Sequence, residues 1–297
     1  MGATWLGKKH HHLWNLLDDF GIQREKQYMD GSAYFLPPDQ EQPELMALPD
    51  DQDPSYRIVG GSAQLIDQLA AGLSRTTIHR NMSVTHLARK QKQLEIHTSK
   101  GVRTADLVIS TLPPFLMQES LTFNPALPET LIRTARQTHT WMGESIKFGV
   151  LYDRPFWRKP GTTGTLFSQT GPIIEMYDHS RPDENFYALK GFVHPQLHTL
   201  TPQKRKQRVM EHLRNTYGDP ADQVLRYVET DWREEAHTYR PYPDQPVPHQ
   251  HNGAAVFRSS FWEGKLWLAG SETAEAFPGY MDGAVERGIR VAEQISQ

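Results

Sequence analysis

Leu13, Leu16, Leu17 and Phe20 recur at helical spacing and stop at Gly21, which predicts an amphipathic helix closed by a glycine. Residues 30–55 lose this periodicity. Pro37, Pro38, Pro43, Pro49 and Pro54 fall there among acidic side chains, so the stretch reads as an irregular connector. Order returns with an amphipathic helix carried by Leu65, Ile66, Leu69, Ala70 and Leu73. Short strands are expected over 76–79, 84–87 and 94–97, with Gly101 turning the chain into the next one. Leu107–Ser110 is a short apolar run that ends at Pro113-Pro114, as a buried strand entering a small-residue turn would. Ile146, Phe148, Val150 and Tyr152 alternate against Lys147, Gly149 and Leu151, which is the period of a strand with one buried face.

Further on, 202–217 reads as a helix whose Lys204, Arg205, Lys206 and Arg208 form a solvated basic face. Residues 241–251, rich in proline and histidine, read as a loop. The apolar run Leu266–Ala269 then breaks at Gly270, and a helix follows from about Gly279-Tyr280. Strands and helices in this order are α/β language. The expected layout is a Rossmann-like cofactor domain over 1–115 and 253–297, with a strand-rich α+β substrate domain inserted at 116–252.

Composition narrows the class without naming a chemistry. A formal net charge of -3 gives no electrostatic reason to expect nucleic acid as a partner. No apolar run approaches the ~20 residues that span a bilayer, and no signal-peptide layout opens the chain, so a cytoplasmic protein is expected. The absence of cysteine excludes disulfides, thiolate metal sites and a cysteine nucleophile. His10-His11-His12 is a poor metal cage, because adjacent helical residues point in different directions. A solvated helix start is the expectation there, and no metal.

The stretch AGSETAEAFPGYMDGAVERG, 269–288, carries the most chemistry. A strand ending in Gly270-Ser271, followed by a helix start near Gly279-Tyr280, presents free backbone N–H groups and a partial positive charge. Such a place holds a phosphate, or a heteroaromatic carbonyl that gains negative charge on reduction. Glycine lets a ligand approach the backbone closely.

Four ordered blocks resemble the flavin-containing amine oxidase family: GATWLG at the N-terminus, YRIVGGSAQLIDQLAAGL with ADLVISTLPP, GESIKFGVLYDRPFWR, and AGSETAEAFPGYMDGAVERGIRVAEQI. The resemblance implies FAD and an enzyme that oxidises a small-molecule amine by hydride transfer to flavin N5, with O2 reoxidising the flavin to give H2O2. It implies that Lys147 holds a water beside N5, where a cation stabilises charge developing on oxygen. Tyr242 and Tyr280 become facing walls of an aromatic cage, with Lys147 on its floor and Trp232 against the flavin. Gly270, Ser271 and Glu272 fall around the pyrophosphate, Gly279 and Met281 at the flavin end, and Val84 beside adenine. Pro241 stands where some members carry the cysteine that bonds to FAD, so the cofactor is expected to be non-covalent.

Two departures shape the expectation. No G-x-G-x-x-G occurs, so the chain reads as a member without its first βαβ unit, supplied by a separate chain or missing. Alone it is then expected to be nearly colourless and inactive. Only a short segment separates GATWLG from YRIVGG, which implies a reduced substrate domain. A related desaturase or protoporphyrinogen-oxidase-like activity is the alternative within the same superfamily.

Overall fold

The computed structural model describes residues 1–40, 42–49, 53–181, 183, 185–244 and 247–297. Along the chain, β1 (Trp5–Leu6) and α1 (His11–Asp19) precede β2 (Arg24–Lys26), β3 (Ser32–Leu36), β4 (Glu44–Ala47) and β5 (Tyr56–Ile58). Helix α2 (Ala63–Gly72) leads to β6 (Val84–Lys90), β7 (Gln93–Thr98), β8 (Gly101–Ala105) and β9 (Val108–Ser110). Then come α3 (Pro114–Ser120), β10 (Thr122–Asn124) and α4 (Glu129–Arg136). The middle of the chain supplies β11 (Ile146–Tyr152), β12 (Thr162–Ser168), β13 (Ile173–Asp178), β14 (Tyr187–Val193), α5 (Pro202–Tyr217) and β15 (Arg226–Asp231). Strand β16 (Leu266–Leu268) and helix α6 (Met281–Ile295) close it.

The chain forms two compact units. The first holds Met1–Gly7, Arg24–Ile58 and Glu144–Glu234; the second holds Lys8–Gln23, Val59–Gly143 and Glu235–Gln297. These limits fall at other places than 115 and 252, because the chain enters the first unit three times.

In the first unit a seven-stranded sheet runs in the order β15-β11-β14-β13-β12-β3-β4. The alternation read in β11 holds: Ile146, Phe148, Val150 and Tyr152 are buried in one apolar cluster with Leu166, Met176 and Leu189 of the sheet and Val209 and Leu213 of α5. Full burial of each such side chain is worth about 1.5–3 kcal/mol. β3 and β4 correct the reading of 30–55 as an irregular connector, since they form an antiparallel pair at the edge of this sheet. The prolines bracket the strands instead of interrupting them: Pro37 and Pro38 follow β3, Pro43 precedes β4 and Pro49 follows it. Parts of that stretch (41 and 50–52) and of the 241–251 loop (245–246) lie outside the described residues.

Helix α5 has the expected bounds, but its basic face is not all solvated. Arg205 is buried; its Nε donates to Glu229 at 2.7 Å, and Asp231 lies 3.7 Å from its guanidinium. Arg205, Val209 and Leu213 recur every four residues on the covered side of the helix, which is why the arginine goes inward.

The second unit has a four-stranded sheet in the order β10-β6-β7-β8, and β9 pairs with β16 in parallel. Leu87, Leu94, Met117, Leu131, Phe257, Leu266 and Leu268 share its core. The expected strand at 266–269 leading to a helix near 279 is present. Helix α1 ends at Asp19, with Gly21 at φ 64°, the left-handed conformation that closes helices. Two expectations fail. Residues 76–79 form no strand and are exposed. Of the stripe on α2 only Leu65 is buried, while Ile66, Leu69 and Leu73 face solvent. No helix among the described residues is long and apolar enough to cross a membrane.

Candidate functional site

β9 and β16 run side by side into turns built from small residues. Ala269 N–H donates to Ser110 C=O at 2.8 Å, continuing the parallel pairing one residue past β16. A Cβ on Gly270 would stand 3.0 Å from the Leu112 carbonyl oxygen and 3.1 Å from that of Thr111, so only glycine leaves these turns in easy contact. Ser271–Thr273 makes one 3₁₀ turn, in which the N–H and Oγ1 of Thr273 both donate to the Gly270 carbonyl, at 3.0 and 2.7 Å.

The segment then loops and returns, closed where Gly279 N–H donates to Ser271 C=O at 3.0 Å. Gly279 has φ +85°, and a Cβ there would meet Trp141 Cβ at 2.8 Å. Tyr280 is the N-cap of α6, and no side chain caps that helix, which leaves its first N–H groups facing outward. Asp282, buried in its first turn, instead accepts the Leu13 N–H at 2.8 Å and so caps α1. Arg287 ties α6 back to β16 by donating Nε to Leu268 C=O at 3.0 Å.

His10 corrects the reading of a solvated histidine triplet. It is buried, with its ring 4.7 Å from Phe277 and 5.5 Å from Tyr280. An imidazole N-cap replaced by Asp282 is free to pack on aromatic rings. Among the described residues no group of His, Cys, Asp or Glu is arranged to hold a metal.

Several buried polar atoms in this unit have no protein partner: Ser110 Oγ at the end of β9, and both amide atoms of Asn252. Asn252 Nδ2 lies 3.5 Å from where a Gly279 Cβ would be. A buried polar group left unpaired costs about 1–3 kcal/mol, so these atoms suit a polar ligand that supplies the missing bonds. Together with the glycine-lined turn at 270 and the open N–H groups of α6, they fit a flavin and its phosphates. Glu272 is buried beside Ser271, whose hydroxyl donates to it at 3.1 Å; burial pushes its carboxyl above the usual carboxylate range. A carboxyl that favours its neutral form repels a nearby phosphate less.

The two tyrosines meet the same short segment. Tyr242 Oη accepts the Thr140 N–H at 2.8 Å, and its ring lies 4.3 Å from that of Phe115. Tyr280, 37% exposed, lies 6.0 Å from the ring of Trp141. Consecutive residues thus hold the two rings. Val84 is exposed at the start of β6, opposite Thr98 of β7.

Lys147 and Trp232 belong to the first unit. Lys147 is buried on the sheet face opposite the apolar core; its ammonium donates to Gly2 C=O at 3.1 Å and lies 5.3 Å from the centre of the Phe192 ring. Burial lowers its pKa from 10.5 to about 8. The Trp232 indole N–H donates to Met1 C=O at 3.1 Å, so both residues touch the same two-residue segment. Lys190, which the sequence reading did not single out, is also buried; it donates to Thr4 Oγ1, and its pKa falls to about 7 through burial and the charges of Lys147 and Arg57. Its signal was available: Lys190 alternates with Phe192 in β14 and so shares a sheet face with Lys147. Asn252 and Ser110 carried no such signal, since nothing local marks a buried atom as lacking a partner.

Residues 38–296 match the family model for flavin containing amine oxidoreductases. The chain belongs to this family. It is 33% identical over 250 residues to the flavin-containing amine oxidase B of Canis lupus familiaris, a match covering 80% of this chain and 46% of that protein. The probable flavin-containing monoamine oxidase A of Dictyostelium discoideum is 30% identical over 250 residues, covering 80% of this chain and 53% of the other. The chain therefore spans about half the length of these amine oxidases. Among solved structures, a putrescine oxidase double mutant superposes with TM-score 0.85 at 18% identity, over 99% of this chain and 87% of that one. The cyclohexylamine oxidase of Brevibacterium oxydans gives TM-score 0.84 at 17% identity, over 99% and 87%. At these identities the likeness is one of fold.

FAD is the cofactor of this flavin-containing family, and these residues hold no cysteine to attach it, so the bond is non-covalent. The backbone of 270–281 has little tolerance. Gly279→Ala combines a positive φ with a clash and should lower unfolding stability by about 1–3 kcal/mol. Gly288→Ala, in the same helix with nothing within 4 Å, should raise it by about 0.5–1 kcal/mol. Urea titration of the two variants checks the contrast.

Proposed function

We propose that the protein oxidises an amine to an imine with bound FAD, consuming O2 and releasing H2O2. The observation that carries this reading is Lys147: a buried ammonium on the sheet face away from the apolar core, in a chain of the amine oxidase family. When bound, the flavin supplies the acceptor for the hydride from the carbon next to nitrogen and passes the electrons to O2. The protein's own groups do the rest. Gly270, Ser271, Gly279 and Met281 hold the cofactor through backbone N–H groups and close approach, Glu272 and Asn252 lie beside them, and Trp232 and Val84 contact its two ends.

Tyr242 and Tyr280 orient the amine between their π faces, which accept an alkyl substituent and tolerate a cation on entry. Lys147 holds a water and offers positive charge where oxygen gains electrons. Its low pKa suits the task, since near pH 8 the ammonium gives up or regains a proton easily. A neutral amine held over the acceptor needs no side-chain base.

The test is to purify the protein with FAD, measure flavin per chain from its visible spectrum, and follow peroxide on adding primary, secondary and tertiary amines. Bound flavin with amine-dependent peroxide is the expected result. Failure to bind flavin, or bound flavin with no peroxide from any amine, would contradict it.

A further inference from the structure

A cavity of about 880 Å3 lies within the first unit, walled by Trp5, Phe167 and Tyr177, with Glu175 among its lining residues. The rings are held against one another: Trp5 to Tyr177 at 5.0 Å and Phe167 to Tyr177 at 5.9 Å. The Trp5 indole N–H is occupied by Gln27 Oε1 at 2.9 Å, which fixes the ring.

Glu175 has one polar partner among the described residues, the Tyr177 hydroxyl, which donates to it at 3.2 Å. The same strand pattern occurs a second time in this sheet, where Tyr227 donates to Glu229 at 2.8 Å. Glu229, however, is completed by Arg205 at 2.7 Å. Among the described residues no lysine or arginine stands within ion-pair distance of Glu175. Burial accordingly lifts its carboxyl above the usual range. Lys26 and Asp30, both exposed, are the other charged residues of the lining and offset each other. A half-buried carboxylate among three aromatic rings, lacking its cation, is a receptor for an organic ammonium.

Register gives the distance. Phe167, Glu175, Phe192 and Lys147 are consecutive cross-strand partners, so they form one row on one sheet face. Glu175 and Lys147 are two strand spacings apart, about 9–10 Å.

We propose that the substrate is a diamine, whose second ammonium group binds Glu175 between Trp5 and Tyr177 while the amine to be oxidised lies toward Lys147. About five methylene groups between the nitrogens fit that spacing at ordinary bond lengths. The proposal rests on the amine-oxidase reading for which end reacts, but the binding site is independent of it.

The experiment is calorimetric binding of 1,5-diaminopentane and of pentylamine to the FAD-loaded protein, wild type and Glu175→Gln, with peroxide release measured in parallel. In wild type the diamine should bind at least about tenfold more tightly than the monoamine. Glu175→Gln should abolish that preference and leave pentylamine within about twofold, while Glu175→Asp, which keeps the charge, should retain part of it. No diamine preference in wild type, or a preference that survives Glu175→Gln, overturns the proposal whatever the folding of the variants. Diamine-selective binding without peroxide would keep this site and contradict the oxidase reading. Peroxide from both amines alike, without preference, would do the reverse.

Discussion

Lys147→Met should slow reoxidation of the reduced flavin by O2 by about 10²–10³-fold, the usual effect of losing one group that stabilises developing charge. Reduction by the amine should stay near wild type, because no step of it uses the ammonium. Rapid-mixing measurement of the two half-reactions separates them. The same variant should gain stability. Lys147 is buried, and its pKa drops from 10.5 to about 8 because burial penalises the charged form. Below pH 8 the lysine is protonated in both folded and unfolded chains, and the folded chain bears a poorly solvated cation. At 1.36 kcal/mol per unit that penalty is about 3 kcal/mol, less the bond to Gly2. From pH 8 to 10.5 the folded lysine is neutral while the unfolded one still binds its proton, so wild-type stability rises with pH and the penalty fades. Methionine should therefore be the more stable variant at pH 7, with the two converging above pH 10.5. An advantage for methionine that is unchanged across this window would contradict the burial of a charged lysine.

The second large effect is structural. Arg205→Ala should lower unfolding stability by about 3–5 kcal/mol, as removing one partner of a buried ion pair does. The guanidinium donates to Glu229 at 2.7 Å and to the carbonyls of Leu200 and His198 at 2.8 and 3.3 Å. Its loss leaves Glu229 and Asp231 without their cation in a site where the three side chains are 3%, 8% and 5% exposed. Lys204→Ala, one residue earlier on the exposed side, should change stability by no more than about 0.5 kcal/mol. Urea denaturation of both variants checks this, and equal small losses would contradict the buried network.

That arginine also shows where sequence reading ends. Its fourfold spacing with Val209 and Leu213 was visible, yet a cation counts as surface until its partners are known, and these lie on a strand more than twenty residues away. The β11 alternation was legible because one strand with one buried face repeats a single rule over seven residues. The strand–turn–helix around Gly270–Met281 was legible because its glycines and helix start are local. The strands at 32–36 and 44–47 were hidden by prolines that flank them. Of the proposed site, Lys147, Tyr242 and Tyr280 came from resemblance to the family. Glu175 did not, because a carboxylate two residues from a tyrosine looks the same with its cation as without it.

The most direct test of the account is anaerobic mixing of the FAD-loaded protein with excess amine, followed by admission of O2. The account predicts that the amine bleaches the flavin's visible absorbance, and that O2 restores it with one H2O2 released per amine oxidised. Flavin that stays oxidised in the presence of monoamines and diamines alike would contradict it.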